Sequence, residues 1–260
     1  MKGLIWYLNG EYASFRPPDT TSIIETMFFP PKTAIIGMIG AACGWRERDL
    51  IGYYDKIKVG IKIERVDSVF SDLIKIWKVA EATKKSRWLY IPENKIYTFE
   101  ELQGKIPIVV RDIYVVIKQF LYKPKFVVYI AVPQEDKLKL IGKIEEALKD
   151  PEYPITLGDS DSLFYPEGMD YVKKVEIQQN IKSKKFHCLL DKEVAYNEGG
   201  GIKIREDSKF ILYPRQKSML IKFEEGRKPK KKEIICFIGE IELEKEIDAY
   251  EFNGEPIYLF

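Results

Sequence analysis

Histidine is almost missing from this sequence: His187 is the only one in 260 residues. A metal cage built from histidines and a His–His acid–base pair are therefore excluded. Cysteine is scarce as well. Cys43, Cys188 and Cys236 form no Cys-x-x-Cys pair, which removes the zinc-ribbon signature and a secreted disulfide framework and points to a reducing compartment. Long hydrophobic runs are lacking. The longest, Ala34–Gly44, has 11 residues, whereas a membrane span needs about 20, and Met1–Leu8 is too short for a signal-peptide core. The expectation is a soluble, cytoplasmic protein without membrane contact. An excess of one charge sign is absent too: 42 Lys and Arg face 40 Asp and Glu, for a net charge of +2. That argues against a uniformly basic nucleic-acid binder.

The balance is uneven along the chain. Residues 1–130 hold 20 Lys and Arg against 14 Asp and Glu, a net of +6, and residues 131–260 hold 22 against 26, a net of −4. A basic face in the first half is permitted by this asymmetry. With 45% hydrophobic and 32% charged residues, the composition is that of a folded chain long enough to bury a sizeable core.

Residues 3–16 read as extended. Asn9-Gly10 inside them signals either a hairpin turn or a bulge in one strand, and Pro17-Pro18 ends the stretch. Pro30-Pro31-Lys32-Thr33 leads into Ala34–Gly44, an apolar-all-round helix that must be buried, with Gly44 placed to stop it. Ile57, Val59, Ile61 and Ile63 alternate with Lys58, Gly60, Lys62 and Glu64, the period of a strand. Residues 67–105 are irregular and carry Lys84, Lys85 and Arg87 beside Trp88 and Tyr90. Two strand candidates follow at 106–118 and 125–132, then an amphipathic helix at 135–149 ended by Asp150-Pro151. Beyond residue 165 come short strands and turns. Lys228-Pro229-Lys230-Lys231-Lys232 reads there as a solvated hairpin loop, and Gly199-Gly200-Gly201 as a turn. The order strand–helix–strand–strand–helix–strand fits an α+β, ferredoxin-like (RRM-like) sandwich over residues 1–165, followed by a β-rich C-terminal part, 166–260.

Several stretches then become recognisable. Gly10-Glu11-Tyr12-Ala13-Ser14-Phe15-Arg16 resembles the opening of a CRISPR-associated RAMP family. Pro30–Gly44 resembles that family's first helix, and Arg111-Asp112 with Phe120–Phe126 its central hairpin. Leu157-Gly158-Asp159-Ser160-Asp161 resembles the turn after its second helix. The chain is similar to CRISPR-associated protein family five, the Cascade subunit that caps the 5′ end of crRNA, over residues 1–165. The resemblance implies a RAMP domain that holds the repeat-derived 5′ handle of crRNA. It would sit in a type I surveillance complex beside the backbone subunits and the large subunit, with an inserted thumb at 67–105 and no cofactor or metal.

A single-stranded handle requires cations for phosphates, π surfaces for bases and donors for base edges. On the resemblance, the candidates are Arg16 at a strand end, and Lys32 and Thr33 at a helix N-terminus where free N–H groups favour phosphate. Arg46 and Arg48 follow that helix, interleaved with Glu47 and Asp49. Lys84, Lys85 and Arg87 lie in the thumb, Arg111 before an apolar strand, and Tyr122, Lys123 and Lys125 around a proline turn. Each competes with an ordinary role as solvated charge or turn residue. Metal-free RNA cleavage requires a base for the 2′-OH and an acid for the leaving oxygen. His187, with Lys185 or a tyrosine, is the only histidine-based route, and it lies far along the chain. The expectation is therefore a subunit that binds RNA without cutting it. The alternatives are a metal-independent endoribonuclease acting on CRISPR repeat RNA and, outside CRISPR biology, an α+β metabolic enzyme or scaffold.

Overall fold

In a computed structural model, residues 1–17, 24–79, 110–133, 137–204 and 209–260 are described. Lys84, Lys85, Arg87, Trp88 and Tyr90 lie outside these, and Arg111 is described only as a backbone position in a strand.

The central strand, β1 (Lys2–Asn9), is apolar on both sides, and both sides are buried. It pairs antiparallel with β6 (Lys125–Ala131) on one edge and with β7 (Val172–Phe186) on the other. Beyond β6 lies β3 (Lys58–Arg65), also antiparallel. Helix α1 (Lys32–Ala42) connects β1 to β3, and helix α3 (Lys137–Lys149) connects β6 to β7. The two helices touch each other and lie on one face, where Ile35, Ile36 and Ile39 meet Ile141, Ile144, Leu4, Trp6 and Val128 in one core. Burial of this kind stabilises by roughly 25 cal/mol per Å² of apolar surface, which offsets the poor helix propensity of Gly37 and Gly40 in α1. Between α1 and β3, a single short turn of helix, α2, spans Glu47–Leu50.

The rest of the chain covers the opposite face and wraps the β3 edge, where Met219, Ile234, Cys236 and Ile238 join the helix-side core. β8 (Leu190–Asp191), β10 (Leu212–Glu224) and β11 (Lys228–Ile238) form a second sheet in the order β10-β11-β8. Phe237, Ile235 and Leu190 pack there against Ile5, Val127 and Tyr129. β12 (Ile241–Phe252) returns to the first sheet beside β7, and it pairs with β9 (Ile202–Lys203) and β13 (Glu255–Ile257). Residues 166–260 thus supply strands to the first sheet as well as the whole second sheet. The lysine run 228–232 is not a loop: it begins β11, and the reversal before it is made by Glu225–Arg227 with Gly226 at φ 71°. Residues 199–201 do form a turn, with Gly200 and Gly201 at positive φ.

Between β3 and β6 the chain leaves the sheet and makes a long antiparallel arm, β4 (Ser68–Val79) with β5 (Val110–Tyr122). The two-residue strand β2 (Tyr12–Ala13) joins this arm through Tyr12↔Tyr122 and Ala13↔Leu121. Asn9-Gly10 is therefore neither a hairpin turn nor a bulge within one strand. It is the point where the chain steps from the first sheet to the arm. Gly10 is required there, because a Cβ would meet Leu157 Cδ1 at 2.5 Å and Leu163 O at 2.9 Å. No helix among the described residues is long and apolar enough to cross a membrane.

The outer edge of β3 is covered. Phe260 and Val59 exchange backbone hydrogen bonds of 3.0 and 3.3 Å, and Leu189 N–H donates to Ile61 O at 2.7 Å. Gly60 leaves room for this segment: a Cβ would meet Leu259 Cδ2 at 2.9 Å and Tyr258 O at 3.0 Å. Gly60→Ala is expected to destabilise the protein by roughly 1–3 kcal/mol through overpacking, read as a lowered midpoint in urea. An unchanged midpoint would show that the 257–260 segment yields freely.

Candidate nucleic-acid interface

Strand alternation sends every second residue of the arm to one side. On one such side the registers place Phe70 opposite Phe120, and Tyr12 opposite Tyr122. The rings form a connected group: Tyr12–Phe70 edge to face at 5.7 Å, Tyr12–Tyr122 at 5.8 Å, and Phe70–Phe120 stacked at 5.5 Å. Tyr12 is 41% and Phe70 38% exposed, so the group presents ring surface to solvent. Lys118 Nζ lies 4.9 Å from the Phe120 ring centre, and Lys123 Nζ 5.0 Å from that of Tyr122. Asp159, in the turn after α3, pairs with Lys118, and this contact fixes the turn against the arm.

The β5–β6 turn is tight. Lys123 holds φ 46° ahead of Pro124, and its N–H donates to Glu11 O at 2.8 Å. The Tyr122 hydroxyl beside it, with Glu11 and Asp67, holds the Lys123 ammonium firmly charged. Below this turn are two open grooves. One, of about 460 Å³, is lined by Gly10, Tyr12, Arg65, Lys123, Lys125 and Tyr165 among others. The other, of about 480 Å³, includes Tyr7, Glu64, Lys125, Met169 and Lys173. Asn9, Lys125 and Glu167 line both, so the two are halves of one channel. Lys125 pairs with Glu167, and Lys173 Nζ lies 5.5 Å over the Tyr7 ring. The rings of Tyr7, Tyr12 and Tyr165 share the grooves with four cations, Arg65, Lys123, Lys125 and Lys173, and with five carboxylates, Glu11, Glu64, Asp161, Glu167 and Asp170; a single strand would set its bases on the rings and its phosphates on the cations.

Of the residues singled out in the sequence, this site brings together Tyr122, Lys123 and Lys125. Arg16 is exposed just beyond the buried Phe15, outside the grooves. Arg46 and Arg48 flank the start of α2. Arg46 N–H donates to Asp49 Oδ2 at 3.2 Å, and Arg48 approaches Asp49 at 4.0 Å. Arg48 lines a different cavity, of about 610 Å³, with Tyr54 and Phe223. Lys32 and Thr33 are buried, at 6% and 8% exposure. Lys32 Nζ donates to the backbone oxygen of Phe260 at 2.9 Å, so the α1 N-terminus is covered by the same segment that edges β3. Composition alone does not single out Tyr12, Phe70, Phe120, Arg65 or Tyr165. Their signal lies in strand pairing, which a single sequence does not display. His187 lies at the other end of β7. Its Nδ1 is 3.2 Å from Gly239 O and its Nε2 3.2 Å from Glu240, a carboxylate shared with Lys185. Leu189, two residues on, is bonded through its N–H to Ile61 O of β3, so His187 lies near the outer edge of β3, and it lines neither groove.

Solved structures that share this fold are CRISPR proteins. One, titled "CRISPR RNA-guided surveillance complex", superposes with a TM-score of 0.51 at 16% identity, covering 95% of this chain and 91% of the other. Another, a CRISPR protein from Archaeoglobus fulgidus, gives a TM-score of 0.53 at 13% identity, covering 99% and 98%. At such identities the likeness is one of fold. The sequence goes further: the model of the family described as CRISPR-associated protein (Cas_Cas5) matches residues 3–217, and the chain belongs to that family. No curated protein matches it.

Burial pushes the Lys32 ammonium down from its ordinary 10.5 to about 8; Asp55 opposes the shift, and Lys58, Lys222 and Lys232 add to it. Between those two values the unfolded chain binds more protons than the folded one. The burial penalty is thus fully present below about pH 8 and is relieved as pH rises toward 10.5. Relative to Lys32→Met, the native protein should gain thermal stability between pH 7.5 and 9.5. A difference in Tm that does not change with pH would refute the buried ammonium.

Proposed function

We propose that this protein is the subunit of a type I CRISPR effector that holds the repeat-derived 5′ handle of crRNA, docked against the backbone subunits and the large subunit. The observation that carries the reading is the exposed Tyr12–Phe70–Phe120–Tyr122 ring group of the arm, which meets through Tyr12 a groove lined by Arg65, Lys123 and Lys125. Family membership supports it. We further read the core as a ferredoxin-like domain. In support, the chain order β1–α1–β3–β6–α3–β7 combines with the sheet order β7-β1-β6-β3, the split βαβ arrangement. The arm that leaves between the second and third of these strands takes the place of the thumb.

In this reading the protein binds RNA without cleaving it. The channel contains no histidine, and a metal-free nuclease would have to work with lysine, tyrosine and carboxylates there. The endoribonuclease alternative rests on Lys185 and His187 converging on Glu240, residues that line neither groove. A cleavage assay on repeat RNA in EDTA separates the two: specific cutting that disappears in His187→Ala would establish the alternative.

Sequencing the RNA that copurifies with the native complex is the direct test, and a shared repeat-derived 5′ end is the expected result. Binding measured against salt tests the channel itself. Lys123→Gly suits the positive φ of its position, so Tm should hold. Combined with Lys125→Ala, it should lower RNA affinity and reduce the slope of log K against log salt by about 1.4, roughly 0.7 for each single-strand phosphate that is no longer neutralised. An unchanged slope would remove both lysines from the interface.

A further inference from the structure

Asn9 ends β1 at the junction of the two grooves, and it is only 7% exposed. Its position is fixed twice by one neighbour. Asn9 Nδ2 donates to Tyr165 O at 2.7 Å, and Tyr165 N–H donates to Asn9 O at 3.0 Å. With the amide nitrogen committed, Oδ1 has no donor among the described residues, although the side chain lines both grooves. The oxygen keeps contact with solvent on the groove side and is free to accept a donor that enters there. The same double contact pins the backbone of Tyr165 while its ring is left 72% exposed, a flat surface whose position is set in advance.

Around this pair the groove is rich in acceptors. The carboxylates of Glu11, Asp161 and Glu167 line it, and Glu167, though paired with Lys125, keeps lone pairs to spare. Cations stand at its rim in Arg65, Lys123 and Lys125. Among the four RNA bases, guanine alone presents two adjacent N–H donors, N1–H and N2–H₂, with a single acceptor, O6, beside them. Adenine, cytosine and uracil each place an acceptor next to their Watson–Crick donor. An acceptor-rich groove with a cation at the rim complements guanine and leaves a mismatched acceptor in each of the others.

We propose that Asn9, Tyr165 and Glu167 form a guanine-reading subsite in the channel. Tyr165 stacks on the base, Glu167 and Asn9 Oδ1 accept its N1–H and N2–H₂ protons, and Lys125 or Arg65 donates to O6. The proposal rests on the RNA-binding reading and adds base specificity to it: the protein selects the handle by a particular unpaired base as well as by charge. A carboxylate taking two donors from one base edge is a charge-assisted, bidentate contact, the kind that discriminates most strongly.

The test uses the full-length protein and unstructured eight-residue oligouridines carrying a single central guanine, inosine or adenine. Inosine keeps N1–H and O6 and lacks only the N2 amino group. Guanine should bind about tenfold more tightly than inosine and more tightly still than adenine. Glu167→Gln, at an exposed position, should bring the guanine-to-inosine ratio close to one, and by freeing Lys125 it should raise the affinity for plain oligouridine. Asn9→Leu should likewise bring the ratio close to one, and circular dichroism checks that it folds. Equal binding of all oligomers by the native protein, with salt dependence intact, would overturn the guanine subsite and leave the handle-binding reading standing. A guanine preference that survives in Glu167→Gln would show that these residues do not read the base. Absence of salt-dependent binding to any oligomer would remove both.

Discussion

The structure depends on one strand being buried from both sides. β1 holds β6 and β7 on its edges, the helices on one face and the second sheet on the other. Every side chain pointing away from its plane meets a core, so its sequence has to be almost wholly apolar from Leu4 to Leu8. The polar residue that follows, Asn9, then falls where the cores end and the channel begins. A two-sided core fixes the end of β1 more firmly than a single-sided one could, and the channel inherits that rigidity. Gly10 lets the chain turn away at once, past Leu157 and Leu163, into the arm.

The channel draws its parts from four separate stretches: the end of β1 with β2, the end of β3, the β5–β6 turn, and the loop after α3. None is basic enough by itself to mark a nucleic-acid site. This reconciles the near-neutral composition with the chemistry: a short strand of RNA needs a few cations in register, and the remaining charge can be balanced. Much of the charge in the second half is neutralised locally, as in the pairs Lys182–Asp248 and Lys185–Glu240.

Where local pattern decides, the sequence was legible. The buried α1, the alternation of β3 and the amphipathic α3 all appear where their periodicity places them, within a few residues. Where distant segments decide, it was not. Gly60 and Lys62 read as the outward face of β3, yet the 257–260 segment lies over that face, and Gly60 is what admits it. Lys32 reads as a phosphate ligand for the same reason: nothing near it in sequence reveals that Phe260 covers it. The lysine run 228–232 reads as a loop because its charge suggests solvent; its strand character comes from pairing with β10. Tyr122, Lys123 and Lys125 are found because they share a turn. Phe70 and Phe120 face each other only through the register of an arm that no local signal sets.

The β4–β5 arm meets the sheet through two short links, Val66–Asp67 after β3 and Lys123–Pro124 before β6, and Lys123 is held at an unusual backbone angle. Such a joint has little slack. Glu11 braces it from the side through the Lys123 N–H, and Asp159 braces the arm farther out through Lys118. The far side of the arm carries the exposed Leu73, Val115 and Ile117. A neighbour seated on that side would bear on the same two links that end at Arg65, Lys123 and Lys125, and so on the wall of the groove.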